Sequence, residues 1–319
     1  MSKGIPLVTG AAGFAGSHLL DHLLEHERQV AAWGNPAGRT TPLDRGPGNV
    51  RWAAVDVTSV TAVTAALQAI TPSAIYHCAG IADVGSSWAD SARALRVNVM
   101  GTHALLTAVQ RAGLEIPVLV TGSALVYRKS HEALTEESAL GPSSPYGVSK
   151  LAQEMVGAAS DGRVILTRPF NHAGPRQADA YVTSSFARQI AEVEAGLREP
   201  ILRVGNLDSM RDITDVRDTV RAYRLLMERG RPKQPYNVCR GEAYRVGDLL
   251  ERLVGQSRVA IRVETDPARL RPSDNPVVLG SAERLTADTG WEPRIPIDRT
   301  LTDLLEYWRG AVKPEGSAP

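Results

Sequence analysis

Three side chains in the sequence could together reduce a carbonyl group. Tyr146 and Lys150 are four positions apart in a segment of helical periodicity, so they lie on one helix face. An ammonium group beside a phenol favours the phenolate, and a tyrosine tuned in this way can protonate a carbonyl oxygen during hydride transfer. Ser123 follows a strand-like run and can hydrogen-bond the same oxygen. We therefore predict Tyr146 as proton donor, Lys150 as the group that lowers its pKa, and Ser123 as the group that orients the carbonyl.

A glycine-rich loop predicts the source of the hydride. Gly10, Gly13 and Gly16 stand between an apolar strand-like run and an amphipathic helical segment. This pattern permits a tight turn, a close approach of ligand to backbone, and close helix packing, with the helix N-terminus facing a pyrophosphate. We predict a nicotinamide dinucleotide site that also includes Ala12, Phe14 and Ala15.

The end of the second predicted strand bears on the choice of cofactor. NAD-dependent enzymes usually place a carboxylate there, whereas this chain has Gly34 and Asn35, with Arg39 close behind. An arginine can pair with a 2′-phosphate, so NADP(H) is favoured over NAD(H). Further cofactor contacts are expected from residues that follow the third and fourth strands, namely Asp56 and Val57 at the adenine and Ala79 and Gly80 at the nicotinamide ribose.

Alternating strand and helix patterns predict an α/β fold with a doubly wound parallel sheet. The predicted strands are Ile5–Thr9, Gln29–Trp33, Val50–Val55, Ala74–Ala79, Pro117–Thr121 and Val164–Arg168. The predicted helices are Phe14–His26, Thr58–Ile70, Trp88–Ala112, Pro145–Ser160, Thr183–Gly196, Asp215–Arg229 and Arg245–Val254. We expect residues 1–169 to form the dinucleotide-binding domain and residues 170–319 a smaller substrate-binding lobe. Some segments near 210–240, such as Pro235–Cys239, are expected to return to the main sheet.

Composition limits the partners. Of 319 residues, 36 are Lys or Arg and 35 are Asp or Glu, so a net charge of +1 favours neither nucleic acid nor an anionic membrane. Two cysteines are too few for a disulfide framework, and an apolar run of about 18 residues, as a membrane span needs, does not occur. A cytoplasmic protein is expected.

The motifs as a set resemble the extended short-chain dehydrogenase/reductase family of nucleotide-sugar epimerases and dehydratases. Within it, segments 168–177, 204–207, 211–218, 236–239, 271–274 and 289–293 are similar to GDP-4-keto-6-deoxy-D-mannose reductases. This resemblance adds Pro169 and Phe170 to the cofactor site. It also implies substrate contacts from Ser123, Asn171, Val204, Gly205, Asn206, Arg211, Arg271 and Asp274.

The resemblance also indicates the reaction. Related dehydratases carry a carboxylate base close after the strand-end serine or threonine, but Ala124 and Leu125 follow Ser123 here and cannot exchange a proton. Related fucose synthases use a Cys and a His, and neither Cys78 nor Cys239 stands at a matching position. The implied reaction is NADPH-dependent reduction of the C4 ketone of GDP-4-keto-6-deoxy-D-mannose to GDP-D-rhamnose. A nucleotide-sugar 4-epimerase that retains NAD and a catalytically silent dinucleotide sensor or scaffold are the alternatives.

Two further expectations concern surfaces. Members of this group commonly pair through the helices predicted at Trp88–Ala112 and Pro145–Ser160, so a homodimer is expected. The apolar side chains available there are Ala92, Leu95, Val99, Leu106, Leu151, Met155 and Val156. His18, His22 and His26 recur every four residues, which would suit a metal, but they flank an apolar helix face and a solvated position is favoured. We expect no metal.

Overall fold

The computed structural model describes residues 4–38, 49–270 and 275–312. Its strands are β1 Pro6–Thr9, β2 Val30–Gly34, β3 Val50–Ala54, β4 Ala74–His77, β5 Val118–Thr121, β6 Val164–Pro169, β7 Asn171–Ala173, β8 Ile201–Val204, β9 Met210–Asp215, β10 Pro235–Val238, β11 Ala243–Arg245, β12 Arg262–Thr265 and β13 Val277–Val278. Its α-helices are α1 Phe14–Leu24, α2 Val60–Ile70, α3 Val84–Ala89, α4 Ser91–Leu95, α5 Gly101–Arg111, α6 Pro145–Ala159, α7 Val182–Glu194, α8 Val216–Arg229, α9 Val246–Val254, α10 Glu283–Thr289 and α11 Ile297–Ala311.

Seven parallel strands form the main sheet in the order β10-β6-β5-β4-β1-β2-β3. Strands β2 and β3 lie on one side of β1, and the later strands β4, β5, β6 and β10 lie on the other side. The predicted doubly wound α/β fold is confirmed. Since the strand order reverses beside β1, the carboxyl ends of β1 and β4 flank the crevice where such sheets bind ligands.

Successive side chains of the strands enter different apolar cores. In β1, Val8 packs in the core with α1 and α8, whereas Leu7 packs in the core with α2 and α5. Both side chains are fully buried. This alternation is the two-residue period of a strand covered by helices on both faces, and it fixes which loops meet at the sheet edge.

The later part of the chain contributes to two regions. Helix α8 packs beside α1, and β10 pairs with β6, so both lie with the main sheet as expected for segments near 210–240. Strands β7, β9, β11 and β13 form a second sheet, β8 and β12 form a third, and α7, α9 and α11 share a separate apolar core. The domain limits at 169 and 170 stay a prediction.

The helix predicted at Trp88–Ala112 is wrong as one element. Helix α3 ends before Asp90, whose side chain accepts a hydrogen bond from the Arg93 amide at 2.9 Å and so caps α4. A π-helical turn over Arg96–Met100 then leads into α5. Competing caps explain the break, because an Asp at a helix start satisfies amides that a continuous helix would bond internally.

Candidate active site

The glycine loop forms a tight turn between β1 and α1. Gly10 has φ +65°, and a Cβ there would lie 2.7 Å from the backbone of Ala79. At Gly16 a Cβ would lie 2.2 Å from the carbonyl oxygen of Gly10, whereas at Gly13 the same oxygen would be 3.1 Å away. Gly10 and Gly16 are therefore required by packing, while the contact at Gly13, the N-cap of α1, is tight but less severe.

A cavity of about 270 Å³ opens at the carboxyl ends of the main strands. It brings together much of the predicted cofactor set with the predicted catalytic residues and two predicted substrate residues, Ser123 and Asn171. These cavity-lining residues are Gly10, Gly13, Phe14, Ala15, Gly16, Gly80, Ser123, Tyr146, Lys150, Pro169, Phe170 and Asn171. The glycine loop and the tyrosine–lysine helix thus face one space, as a dinucleotide and a carbonyl substrate bound side by side require.

Helix α6 positions Tyr146 and Lys150. Ser144 caps the helix by accepting a hydrogen bond from the Gly147 amide at 3.1 Å, and Pro145 occupies the first turn, where its missing amide costs nothing. Tyr146 is 7% exposed and Lys150 4%. The Lys150 ammonium lies 5.9 Å from the centre of the Tyr146 ring. Both groups therefore meet a ligand in a site from which most water is removed.

Burial dominates the protonation of both groups. Burial raises the pKa of Tyr146 above its ordinary value, and a hydrogen bond with Ser123 opposes this rise. Burial lowers the pKa of Lys150 to about 8. Desolvation of the phenolate is the largest influence on this pKa, and the ammonium lies 5.9 Å from the ring centre. The lowering of the Tyr146 pKa by Lys150 stays a prediction. The phenol is protonated at neutral pH, which is the form a proton donor needs.

Ser123 stands at the end of β5 beside Tyr146. The preceding Gly122 is required there, since a Cβ would lie 2.3 Å from the carbonyl oxygen of Thr167. The Ser123 hydroxyl oxygen accepts a hydrogen bond from the Leu125 amide at 3.1 Å, which starts a short 3₁₀ turn over Ala124–Val126. This turn holds the hydroxyl at the cavity wall.

A buried ion pair fixes α6 to the sheet. Arg168 of β6 donates from Nε and Nη2 to the two carboxylate oxygens of Glu154, at 2.8 and 2.6 Å. Its Nη1 donates to the Tyr127 hydroxyl at 2.8 Å. Glu154 lies one turn beyond Lys150, so this bidentate pair sets the position of the helix that carries Tyr146 and Lys150.

Other predicted cofactor residues lie at the ends of β2 and β3, outside the lining of this cavity. Gly34 ends β2 and pairs with Ala54, and Asn35 follows it. Asp56 accepts two hydrogen bonds from Thr58, at 2.7 and 2.9 Å, and these lower its pKa. Also outside the lining are Ala12, Val57 and Ala79. Arg39 lies outside the described residues.

The predicted substrate residues are dispersed. Asn171 lines the cavity, but the side chain of Val204 is 1% exposed and packs in the lobe core, so only its backbone can face a ligand. Arg211 Nη1 donates to the carbonyl oxygens of Met210 and Asn275, at 2.8 and 2.7 Å. Gly205 and Asn206 follow β8. Arg271 and Asp274 lie outside the described residues.

Several residues that were not predicted as site residues also line the cavity. His172 stacks on Phe14 with ring centres 5.6 Å apart and planes 6° apart, joining the lobe to the glycine-loop helix. Tyr181 comes from the start of α7 and Tyr223 from within α8. The lining residues that were not predicted as binding or catalytic residues are Cys78, Ile81, Ala82, Val84, Thr121, Gly122, Ala124, Leu125, His172, Gln177, Tyr181, Tyr223 and Val278. Their position at or just after the carboxyl end of a strand could have indicated Cys78, Thr121 and Gly122 as lining residues. The others line the cavity because of how separate segments of the chain pack together.

Of the three spaced histidines, His18 differs from the expected solvated position, whereas His22 is half-buried and His26 is exposed beyond the end of α1. His18 is 7% exposed, its Nε2 lies 2.8 Å from the Pro175 carbonyl oxygen, and burial lowers its pKa to about 4. Ligand atoms of His22, Glu25 and His26 lie within 4.8 Å of one another, a spacing that could hold a metal ion. Burial lowers the pKa of His22, and the positive charge of Arg224, which lowers it further, also opposes a cation there.

The fold and this site define a dinucleotide-dependent enzyme of the nucleotide-sugar type. The chain belongs to the family described as GDP-mannose 4,6 dehydratase, whose model matches residues 7–304. The predicted family resemblance is confirmed.

Individual relatives narrow this class. GDP-6-deoxy-D-mannose reductase of Pseudomonas aeruginosa is 36% identical over 315 residues, which cover 97% of this chain and 98% of that protein. Among solved structures, RMD from Pseudomonas aeruginosa complexed with NADPH has a TM-score of 0.85 and 33% identity, covering 97% of this chain and 100% of that chain. UDP-glucose 4-epimerase of Thermus thermophilus in complex with NAD has a TM-score of 0.83 and 28% identity, covering 96% and 99%.

Proposed function

We propose that this protein uses NADPH to reduce the C4 ketone of GDP-4-keto-6-deoxy-D-mannose, giving GDP-D-rhamnose. The observation that carries the proposal is the placement of Ser123, Tyr146 and Lys150 around the same cavity as the glycine loop. The similarity to a GDP-6-deoxy-D-mannose reductase supports the nucleotide and the sugar.

The residues act through proton transfer and positioning. When bound, NADPH supplies the hydride that forms the new C–H bond at C4. Ser123 donates a hydrogen bond that orients the ketone oxygen, and Tyr146 transfers its phenolic proton to that oxygen. Lys150, as an ammonium, stabilises the tyrosinate left behind. Solvent then restores the tyrosine proton, so charge and protons balance over the cycle.

Reduction is favoured over dehydration by the two residues after Ser123. Ala124 and Leu125 both line the cavity, and neither side chain can accept a proton. Removing water from a sugar needs a base that abstracts a carbon-bound proton, a task for a carboxylate rather than for an alkyl group. The cavity wall at these positions therefore supports ketone reduction, although the family as a whole is described by a dehydratase.

NADPH is proposed as the cofactor, and the end of β2 supports it. Gly34 and Asn35 carry no negative charge that would repel a 2′-phosphate. The similar structure of RMD was solved with NADPH. Gly13 is the N-cap of α1, lines the cavity and carries no side chain that would obstruct a pyrophosphate at this helix N-terminus, so the residues present suit a dinucleotide. We assign pairing with the 2′-phosphate to Arg39.

For the substrate, we propose that Asn171 contacts the diphosphate from the cavity wall. Arg211 is proposed to pair with the phosphates, with Arg271 and Asp274 reaching the phosphate and ribose. The segment Val204–Asn206 is proposed to run along the base through its backbone, because the Val204 side chain is buried in the lobe core.

We also propose a homodimer formed through the segments Trp88–Ala112 and Pro145–Ser160, which include α4, α5, α6 and the end of α3. Trp88, Leu95, Met100 and Met155 are 62%, 41%, 53% and 64% exposed, a concentration of apolar surface that monomers rarely keep in water. Leu106 is excluded from this surface, because it is 8% exposed and packs in the sheet core. Sedimentation at micromolar concentration tests this, and a single monomeric species would contradict it.

Among the helices of the described residues, none is long and apolar enough to cross a membrane. The cytoplasmic location expected from the sequence stays a prediction.

The experiment that tests the function follows NADPH oxidation with purified GDP-4-keto-6-deoxy-D-mannose. One NADPH should be consumed per GDP-D-rhamnose formed, and Tyr146→Phe should lower kcat by roughly a hundredfold or more. Tyr244→Phe is the matched control, since its hydroxyl bonds Glu242 outside the cavity. Full activity in Tyr146→Phe would refute the assignment. Sugar interconversion without net oxidation of the cofactor would indicate an epimerase instead.

A further inference from the structure

A chain of buried hydrogen bonds extends from Lys150 away from the cavity. The ammonium donates to the carbonyl oxygen of Thr121 and to Oε1 of Gln153, each at 2.8 Å. Gln153 in turn donates from Nε2 to Oγ1 of Thr102, also at 2.8 Å. Gln153 and Thr102 are fully buried. The ammonium thus uses two of its three N–H donors on fixed protein acceptors, which leaves one for a bound ligand.

The number of donors on each side chain determines which group donates in every hydrogen bond of this series. The Thr102 hydroxyl donates to the carbonyl oxygen of Asn98 at 2.7 Å, so its oxygen must accept from Gln153 and from Nε2 of His77, which lies 3.0 Å away. Lys150 can only donate, so Oε1 of Gln153 must face it. The amide of Gln153 therefore has one allowed orientation.

The series of hydrogen bonds continues to Thr9, the residue before the glycine loop. His77 carries its proton on Nε2, so its Nδ1 accepts from the Thr9 hydroxyl at 2.8 Å. Burial lowers the pKa of His77 to about 3, which keeps the ring neutral. Thr9 accepts from the Ala79 amide at 3.2 Å. Buried polar groups satisfied this completely hold one arrangement, because any displaced member would leave a neighbour unpaired.

We propose that Gln153 is a positioning residue that holds the Lys150 ammonium in place and stabilises its charged form. The proposal rests on the proposed function, in which charged Lys150 supports proton transfer by Tyr146. The sequence pattern that identifies Tyr146 and Lys150 does not include Gln153, whose role follows from the contacts made three residues beyond the lysine.

Other groups around Lys150 do not supply a negative charge. Among the described residues, the titratable groups facing it are Tyr146 on its own helix and His77 and Cys78 of the β4 segment. Burial raises the pKa of Tyr146 and that of Cys78, the latter to about 12, so both are neutral at pH 7. The ammonium is therefore held by the amide oxygen of Gln153 and the carbonyl oxygen of Thr121.

Two substitutions at this position should move the same pH limb in opposite directions. Gln153→Leu removes an acceptor, so the alkaline limb of kcat should shift about one pH unit or more toward lower pH. Since the pKa of Lys150 is about 8, this shift should cause a loss of about fivefold or more at pH 8. Gln153→Glu places a carboxylate beside the ammonium and should shift the limb toward higher pH. The KM for the sugar should change little in either variant. Altered packing alone cannot produce shifts of opposite sign.

The measurement is kcat against pH from 6 to 10, with the pH dependence of NADPH binding followed by fluorescence. Gln189→Leu is the matched control, because this buried glutamine also uses both its amide oxygen and its amide nitrogen in hydrogen bonds, here to the backbone of Arg203 in the lobe. The alkaline limb of this variant should stay in place. If Gln153→Leu does not fold, the proposal is tested by Gln153→Glu alone, whose alkaline limb should shift toward higher pH. Unmoved limbs, or shifts of the same sign, overturn the proposal.

The two failures are distinguishable. If the unmodified protein binds NADPH but does not reduce the sugar, the proposed function fails, and the limb in NADPH binding still tests Gln153. If the unmodified protein reduces the sugar and the Gln153 variants keep its pH profile, only the role of Gln153 fails.

Discussion

Removing the carboxylate of Glu154 should destabilise the fold more than any surface ion-pair substitution. Arg168 is 3% exposed, and two of its nitrogens donate to Glu154 while Nη1 bonds Tyr127. Glu154→Ala leaves a buried guanidinium without a counter-charge. Breaking a buried pair from one side costs about 3–5 kcal/mol, since the remaining charge stays desolvated.

This loss of free energy of unfolding should lower the melting temperature, Tm. At about 2.1 cal/mol/K per residue, the unfolding entropy of this 319-residue chain is about 0.7 kcal/mol/K, so the Tm should fall by roughly 4–8 °C. Because Glu154 is on the helix of Tyr146 and Lys150, kcat should also fall.

Thermal and urea unfolding of the purified variant provide the measurement. Asp298→Ala is the control, because its pair with Arg252 joins side chains that are 69% and 41% exposed and should contribute at most about 1 kcal/mol. The double substitution Glu154→Leu with Arg168→Met should cost less than Glu154→Ala alone, since it leaves no unpaired charge. A loss below about 1 kcal/mol in Glu154→Ala would refute this reasoning.

Three further outcomes are expected. Gly16→Ala should lower the Tm, since its Cβ would lie 2.2 Å from a backbone oxygen, whereas Gly13→Ala, with the same oxygen 3.1 Å away, should lower the Tm less and weaken NADPH binding, as titration and melting will show. Gly34→Asp should shift preference from NADPH toward NADH by on the order of 1.5–3 kcal/mol, measured as the ratio of dissociation constants. The pKa of His18 falls on folding from 6.5 to about 4, so the unfolded chain binds more protons between these values and stability should drop by up to about 3 kcal/mol as pH falls from 7 to 4. Urea unfolding of His18→Gln should show a weaker dependence across that window.

Local patterns were enough to predict much of this protein. The six strands predicted in the first half of the chain occur within one or two residues of their expected limits, because strand and helix periods are properties of short segments. The roles of Gly10 and Gly16 could be predicted for the same reason, since a turn joining a strand to a helix constrains its own backbone. The four-residue spacing of Tyr146 and Lys150 places them on one face of any helix.

Contacts between distant segments were decided only by the tertiary structure. His18 is polar and sits at a helical spacing that suits a solvated face, yet the lobe segment at Pro175 covers it. Tyr181 and His172 reach the cavity because the later part of the chain folds back over the sheet edge.

The bond partners of Gln153 show the same division between local and tertiary information. Its place on α6 follows from helical periodicity, but its bond partner Thr102 is 51 positions away in sequence. The series of hydrogen bonds then runs from Thr102 through His77 to Thr9. The strands of the sheet, the glycine loop and the spacing of Tyr146 and Lys150 could be predicted from the sequence, because these features depend on backbone geometry over a few residues. The tertiary structure alone decided which buried polar groups meet, because a hydrogen bond depends on distances between atoms that the chain order does not set.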